Sequence, residues 1–373
     1  DVYLETGDRS LLEAVQRLWE ETFTTKTYIT GTMGAHYSHE SFGDAYELPN
    51  LRAYAETCTA LASILWNQRL LAVEPRAVYA DMLENALFNG TLGSVSLDGL
   101  SYNYTNPLET RADPDTPLPS RNGVVREPWF DTACCPTNLA RILASLPGYF
   151  YGLSHEGLYV HLYQPNVLSW HLADGTSLRV QQQTDYPWDG EIDLQIDPER
   201  PVHFTLFLRI PGWCQAALVE VNGQPVGGVK SSAYLPLERE WRAGDRVRLS
   251  LRMPPQFVVS HPRVRENAGS YAVARGPLVY CLEGVDNPAV SPLDVRWLAG
   301  SDLRDEPAPD LLGGVRVVRG RGLTPARPPA VELYRPARWA GETTWRQTEL
   351  VAIPYYARAN RGLSWMKVWT PYA

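Results

Sequence analysis

Glu56-Thr57-Cys58 and Cys134-Cys135 are the residues of this sequence best suited to chemistry. Three thiols and one carboxylate supply the ligand count of a four-coordinate zinc site, and soft thiolates select zinc over magnesium or calcium. The spacing is not that of a zinc finger, which uses a C-x₂-C pair. The competing reading makes Cys58, Cys134 and Cys135 small buried core residues, since free cysteine is among the most buried types. Residue types alone leave both readings open.

Helical geometry adds a condition. Residues two apart on a helix point about 200° away from each other, so Glu56 and Cys58 cannot share an ion from within one helix. The stripe Leu51, Tyr54, Ala55, Cys58, Leu61 would otherwise carry a helix back through Glu56. A shared metal therefore predicts a helix that begins at about Thr57, with Glu56 on irregular backbone. Cys135 directly precedes Pro136, a residue suited to the first helical position, so the thiol sits where a helix dipole favours a thiolate.

Two textures surround these residues and meet near residue 150. Before it, apolar residues recur at helical spacing: Leu11, Leu12, Val15, Leu18 and Trp19; Leu61, Ala62, Leu65 and Trp66; Val78, Met82, Leu83 and Leu87. A fourth helix is predicted from Pro136, carrying Leu139, Ile142 and Leu143 inward and stopping at Pro147-Gly148. Afterwards short strands are expected at 158–163, 178–182, 191–196, 203–210, 217–221 and 246–251. Asp174-Gly175, Asp189-Gly190, Asn222-Gly223 and Gly244-Asp245 supply the turns. A second β unit is expected from 266–271 and 278–282, interrupted by a poorly patterned stretch from Ala299 to Pro329, and closing with 350–354 and 365–369. Helices first, then two β-sandwiches, is the architecture these patterns predict.

Composition narrows the function. The 373 residues carry 34 Lys+Arg against 42 Asp+Glu, a net charge of −8, so neither nucleic acid nor an anionic membrane is an expected partner. No apolar run approaches the roughly 18 residues of a membrane span. Twelve Trp, 20 Tyr and 8 Phe supply flat surfaces of the kind sugars stack on. Five cysteines at irregular spacing make a poor disulfide framework and point to a reducing, cytoplasmic compartment.

The chain resembles the family 127 glycoside hydrolases, the β-L-arabinofuranosidases, through nearly its whole length. The likeness runs through Tyr28-Ile29-Thr30-Gly31, His39-Glu40-Ser41-Phe42, Tyr46-Glu47-Leu48-Pro49-Asn50, Tyr54-Ala55-Glu56-Thr57-Cys58 and Glu84-Asn85-Ala86-Leu87-Phe88-Asn89-Gly90. It continues through Ala133-Cys134-Cys135-Pro136-Thr137-Asn138, Arg209-Ile210-Pro211-Gly212-Trp213, Ala274-Arg275-Gly276-Pro277-Leu278-Val279-Tyr280 and Ile353-Pro354-Tyr355-Tyr356. The resemblance implies an (α/α)₆ barrel followed by two β-sandwiches, with this chain an N-terminally truncated member holding the C-terminal part of the barrel (1–152) and the sandwiches at 153–255 and 256–373. It implies zinc ligands at Glu56, Cys58, Cys134 and Cys135, a nucleophile at Cys134 and a general acid/base at Glu40. Glu84 and Tyr104 resemble positions that contact sugar hydroxyls, although a solvated helix face is the plainer reading of Glu84. His39 and His36 flank Glu40 and are expected to orient it or line the pocket.

The implied function is retaining hydrolysis that releases β-L-arabinofuranose from plant-derived glycans or glycopeptides. Its partner is a small carbohydrate, and a homodimer is compatible with it. The alternative is an inactive remnant, a zinc-stapled carbohydrate-binding or structural protein.

Overall fold

Helix formation begins where a cap is available. Asp8 Oδ1 accepts from the Ser10 amide at 2.9 Å and starts α2 (Arg9–Thr25), just after a short α1 (Val2–Thr6). Three more helices follow, α3 (Thr57–Val73), α4 (Ala77–Asn85) and α5 (Cys134–Ser145). The computed structural model describes residues 1–111, 125–129, 131–326, 334, 336 and 343–373. It forms two compact units: Asp1 with Ala60–Phe88 and Pro136–Pro254, and Val2–Thr59 with Asn89–Cys135 and Pro255–Ala373. The chain is a multidomain α and β protein. None of its described helices is long and apolar enough to cross a membrane.

In the first unit the β elements fall into two sheets. The four-stranded one runs Ala233–Trp241, Val202–Ile210, Gly157–Val160, Tyr151–Leu153, with a single parallel pair between 157–160 and 202–210. The six-stranded one is antiparallel throughout: Asn166–His171, Ser177–Thr184, Glu191–Pro198, Asp245–Leu251, Ala217–Val221, Gln224–Pro225. Alternation along Glu191–Pro198 buries Ile192, Leu194 and Ile196 and turns Glu191, Asp193 and Gln195 outward, the period-2 pattern of a half-buried strand. Asn222 and Gly223 have φ of 50° and 77° between the paired residues Val221 and Gln224, the two positive values that a tight hairpin needs.

The second unit holds a ten-stranded sheet. Its central path is Glu109–Thr110, Met366–Lys367, Leu278–Glu283, Trp345–Pro354, Val315–Pro325, Arg296–Trp297, all antiparallel. Every residue of Leu278–Glu283 is buried. Asn89 lies in a π-helical turn, Ala86–Thr91, and grips that strand's entry: its amide donates to Pro277 O at 3.0 Å and its carbonyl accepts from Val279 N at 2.8 Å.

Several expectations are corrected. Leu11, Val15 and Leu18 are exposed (37%, 37% and 52%), and α2 instead buries Trp19 and Thr22. The fourth helix begins at Cys134 rather than Pro136, because proline's missing N–H has no partner to lose anywhere in a first turn. Leu143 points outward, while Leu139 and Ile142 are buried. The stretch from Ala299 contains two strands, Arg304–Ala308 and Val315–Pro325, the first masked in sequence by its charges; residues 327–329 lie outside the described residues. Residues Arg265–Asn267 form a 3₁₀ turn before the strand Ser270–Arg275. The strands 166–171 and 233–241 were not anticipated.

A buried polar group in the first unit gives a pH test. His161 is 5% exposed, shares a 2.5 Å hydrogen bond between Nδ1 and Tyr234 OH, and is pushed down to about 3 by burial and then by Arg209. Between its ordinary 6.5 and 3 the unfolded chain takes up a proton that the folded imidazole refuses, so stability falls as pH drops through that window. Asp81 opposes this, since burial pushes it up to about 6 and its folded state gains a proton first. His161→Gln should therefore lose less stability than the parent between pH 6.5 and 4, by about 3 kcal/mol at most. Urea unfolding at both pH values measures it, and equal losses would contradict the assignment.

Candidate active site

Glu56 stands outside the helix that carries Cys58, as a shared ion requires. The α3 helix begins at Thr57, whose amide donates to Tyr104 O at 2.9 Å and whose hydroxyl donates to Asn103 O at 2.7 Å. Asn106 completes the clamp, its amide N–H donating to Ala55 O and its side chain to Thr57 Oγ1, both at 3.0 Å. Ala55, fully buried, is held at φ 38°, a left-handed conformation costing a non-glycine residue about 1–3 kcal/mol. That kink turns Glu56 toward the thiols.

The four groups meet in one cluster. Glu56 Oε1 lies 3.4 Å from Cys134 Sγ and 3.8 Å from Cys135 Sγ, and Cys135 Sγ is 3.8 Å from both Cys58 Sγ and Cys134 Sγ. All four ligand atoms lie within 4.8 Å of one another, a group that could hold a metal ion and, among the described residues, the sole such group. The bland reading of three separate core cysteines is therefore replaced by one convergent site. Cys135 is 1% exposed, whereas Cys134 and Cys58 are partly open. Burial and the neighbouring Cys58 push the Cys134 thiol up to about 11, and the Cys58 hydrogen bond and burial push Cys135 up further. Burial and mutual repulsion disfavour the thiolates, and a bound cation would favour them.

A line of hydroxyls leads from the cluster to Glu40. Tyr54 OH is 3.0 Å from Glu56 Oε2 and 3.3 Å from Tyr104 OH, and Tyr104 OH donates to Glu40 Oε1 at 3.0 Å. Three gaps are spanned by two phenolic protons, so the line is complete only when one of the two carboxyl groups is protonated. Burial pushes both phenols above the usual tyrosine range. Gly34 permits the packing: its φ is +97°, and a Cβ there would meet Tyr54 Cδ1 at 3.0 Å. Tyr37 stacks edge-on against Tyr54 at 5.3 Å. The sequence reading assigned Tyr54 and Tyr37 no role. The available signal was Tyr54's place two residues before Glu56, which on non-helical backbone sets both side chains toward one side.

The remaining candidates are placed as follows. Glu40 is exposed, and it and His39 both have left-handed φ, 50° and 57°. His39 Nδ1 bonds Ser38 Oγ at 2.9 Å, and His36 Nε2 pairs with Glu47 at 3.2 Å, so neither imidazole holds Glu40. Glu84 belongs to the first unit and is 1% exposed, not on a solvated face. Its oxygens accept from Arg209 Nη2 (2.5 Å), Tyr186 OH (2.6 Å) and Trp213 Nε1 (3.3 Å). Cys281 is buried on the strand Leu278–Glu283 and Cys214 is buried in the loop before strand Ala217–Val221, and burial pushes both thiols up, which leaves them inert.

Sequence profiles of one family cover the chain in order. The profile described as the GH127 catalytic domain of β-L-arabinofuranosidase matches residues 1–148, the GH127 middle domain 157–253, and the family 127 C-terminal domain 255–371. The chain belongs to glycoside hydrolase family 127. A non-reducing end β-L-arabinofuranosidase of Bifidobacterium longum subsp. longum is 37% identical over 97% of this chain and 56% of its own length. The crystal structure of a GH127 β-L-arabinofuranosidase from Geobacillus stearothermophilus T6 superposes with a TM-score of 0.93 at 41% identity, over 100% of this chain and 58% of that one. A second GH127 β-arabinofuranosidase structure gives 0.90 at 36% identity, again over 100% and 58%. This family 127 chain thus spans a little over half the length of the relatives it matches.

Glu84 provides a test of what holds this family 127 chain together. Arg209 is fully buried, and its charge is met by Glu84 and Asp81. Glu84→Gln should lower stability by about 3 kcal/mol, the scale for removing one partner of a buried pair. Urea unfolding checks this, and a loss below about 0.5 kcal/mol, the scale of a surface change, would show the pair is dispensable.

Proposed function

We propose that this chain carries the catalytic chemistry of a retaining β-L-arabinofuranosidase that uses a zinc-bound cysteine nucleophile. On this reading the helical elements are part of an (α/α)₆ barrel over about 1–152, and the sheets form two β-sandwich domains over about 153–255 and 256–373.

The observation that carries the proposal is the spacing of the four ligand atoms. Thiolates at tetrahedral corners about 2.3 Å from zinc stand about 3.8 Å apart, and a sulfur and a carboxylate oxygen about 3.6 Å apart. The cluster has two S···S separations of 3.8 Å and S···O separations of 3.4 and 3.8 Å. The residues present fit the group. Bound zinc would offset half of the four ligands' negative charge and keep Cys134 as a thiolate.

The chain's own residues divide the work. Cys134 is the partly open thiol at the helix start, whereas its neighbour Cys135 is buried, so Cys134 is the sulfur a sugar can reach. Its attack on the anomeric carbon forms a C–S bond as the glycosidic C–O bond breaks, and Glu40 gives its proton to the leaving oxygen. Glu40 then takes a proton from water, the water oxygen attacks the same carbon, and the C–S bond breaks. Two displacements on one carbon retain configuration. Tyr104 OH, itself bonded to Tyr54 OH, holds Glu40 Oε1 in place.

A β-L-arabinofuranosyl epoxide or cyclophellitol analogue should label Cys134, visible as a mass shift on its peptide. Label on Glu40 or Glu56 would restore an ordinary carboxylate mechanism. No label, with no hydrolysis of p-nitrophenyl β-L-arabinofuranoside, would favour a zinc-stapled carbohydrate-binding or structural protein. Tyr54→Phe should cut kcat/KM about tenfold on a substrate whose leaving group needs a proton, and little on a nitrophenyl glycoside, with metal content unchanged. Equal losses on both substrates would remove Tyr54 from the acid's support.

A further inference from the structure

The first unit has a concavity that the proposed chemistry does not use. It encloses about 820 Å³, within the size range of small-molecule sites. Its walls are the turn around Ser154–Gly157, the end of strand Asn166–His171, the start of strand Val202–Ile210, and Glu238 of strand Ala233–Trp241. Trp170 stands in it 51% exposed, on an edge strand of the six-stranded sheet.

Some lining groups are already engaged. Asp174 accepts from Thr176 and pairs with Arg200, Glu156 accepts from Tyr159 OH, and His171 bonds Ser177. His155, His203 and Glu238 make no side-chain hydrogen bond or ion pair among the described residues, and the Trp170 indole meets no other ring or cation there. Two imidazoles, each a donor and an acceptor, and one carboxylate acceptor therefore surround a bare aromatic face.

We infer that this concavity binds a neutral saccharide, with one ring stacked on Trp170 and its hydroxyls paired to His203, His155 and Glu238. A sugar presents C–H groups on one face, which suit the negative face of an indole, and hydroxyls at its rim that both donate and accept. Other ligand classes fit worse. No Lys or Arg lines the concavity and nearby Arg200 is paired with its Asp174, so a phosphate, sulfate or uronate would meet carboxylates and no unpaired cation. The polar rim is too rich for a purely apolar partner. An adjoining space of about 360 Å³ shares Leu153–Glu156 and continues between Tyr149, Tyr151 and Tyr159, which gives room for a chain of more than one residue. The site is independent of the catalytic reading, since none of its residues belongs to the Cys/Glu cluster.

Isothermal titration of the Cys134→Ala protein with arabinotriose, xylotriose and trigalacturonate tests the inference without turnover. At least one neutral trisaccharide should bind saturably, and trigalacturonate more weakly. Trp170→Ala should weaken the neutral sugar about tenfold, the scale of one good aromatic contact. Glu238→Gln, on a different strand, should weaken it too, so a fold defect confined to the edge strand cannot mimic the result. Urea midpoints of both variants should stay at the parent value. Unchanged affinity in Trp170→Ala, tighter binding of trigalacturonate, or no saturable neutral binding up to about 10 mM, weaker than useful for a specific site, would each overturn it.

Discussion

Four acidic groups within a few ångströms of one another cannot all ionise unless a cation joins them. That electrostatic conflict organises the residues around it. Its effect is visible in the thiols, pushed up by burial and by each other rather than down by the helix start they occupy. A site that is unfavourable as an anion cluster and closely spaced as a donor set is one that could hold a metal ion.

Bringing Glu56 and Cys58 to one place imposes a backbone. The helix of Cys58 cannot extend back to Glu56, so the chain breaks at Thr57, Ala55 takes a left-handed conformation, and residues 103–106 hold the break by hydrogen bonds. The same segment supplies Tyr104, whose hydroxyl meets Glu40. One strained junction thus sets both Glu56 beside the thiols and Tyr104 beside Glu40. The first unit solves a different charge problem, closing fully buried Arg209 with Glu84 and Asp81, and the Glu84 carboxylate is taken up by that pairing.

Residue types left the joining of Cys58 to Cys135, 77 positions apart, open until the family resemblance implied it, whereas helical geometry, a local matter, made the break between Glu56 and Cys58 legible. Strands with clear alternation and Asx-Gly turns, such as 191–198 and 217–221, were legible for the same reason. What failed was decided by tertiary context. Three members of the apolar stripe of α2, Leu11, Val15 and Leu18, lie exposed, strand 304–308 hides behind its charges, and the tie of Glu84 to Arg209 joins residues 125 apart in sequence. The link from Tyr54 through Tyr104 to Glu40 joins segments 50 and 64 positions apart, which no local pattern signals.

X-ray absorption at the zinc edge of the purified protein tests the central claim most directly. The account predicts one zinc per chain with three sulfur neighbours at about 2.3 Å and one oxygen at about 2.0–2.2 Å. A shell of oxygen and nitrogen alone, or a protein that binds no zinc at its thiols, would contradict it.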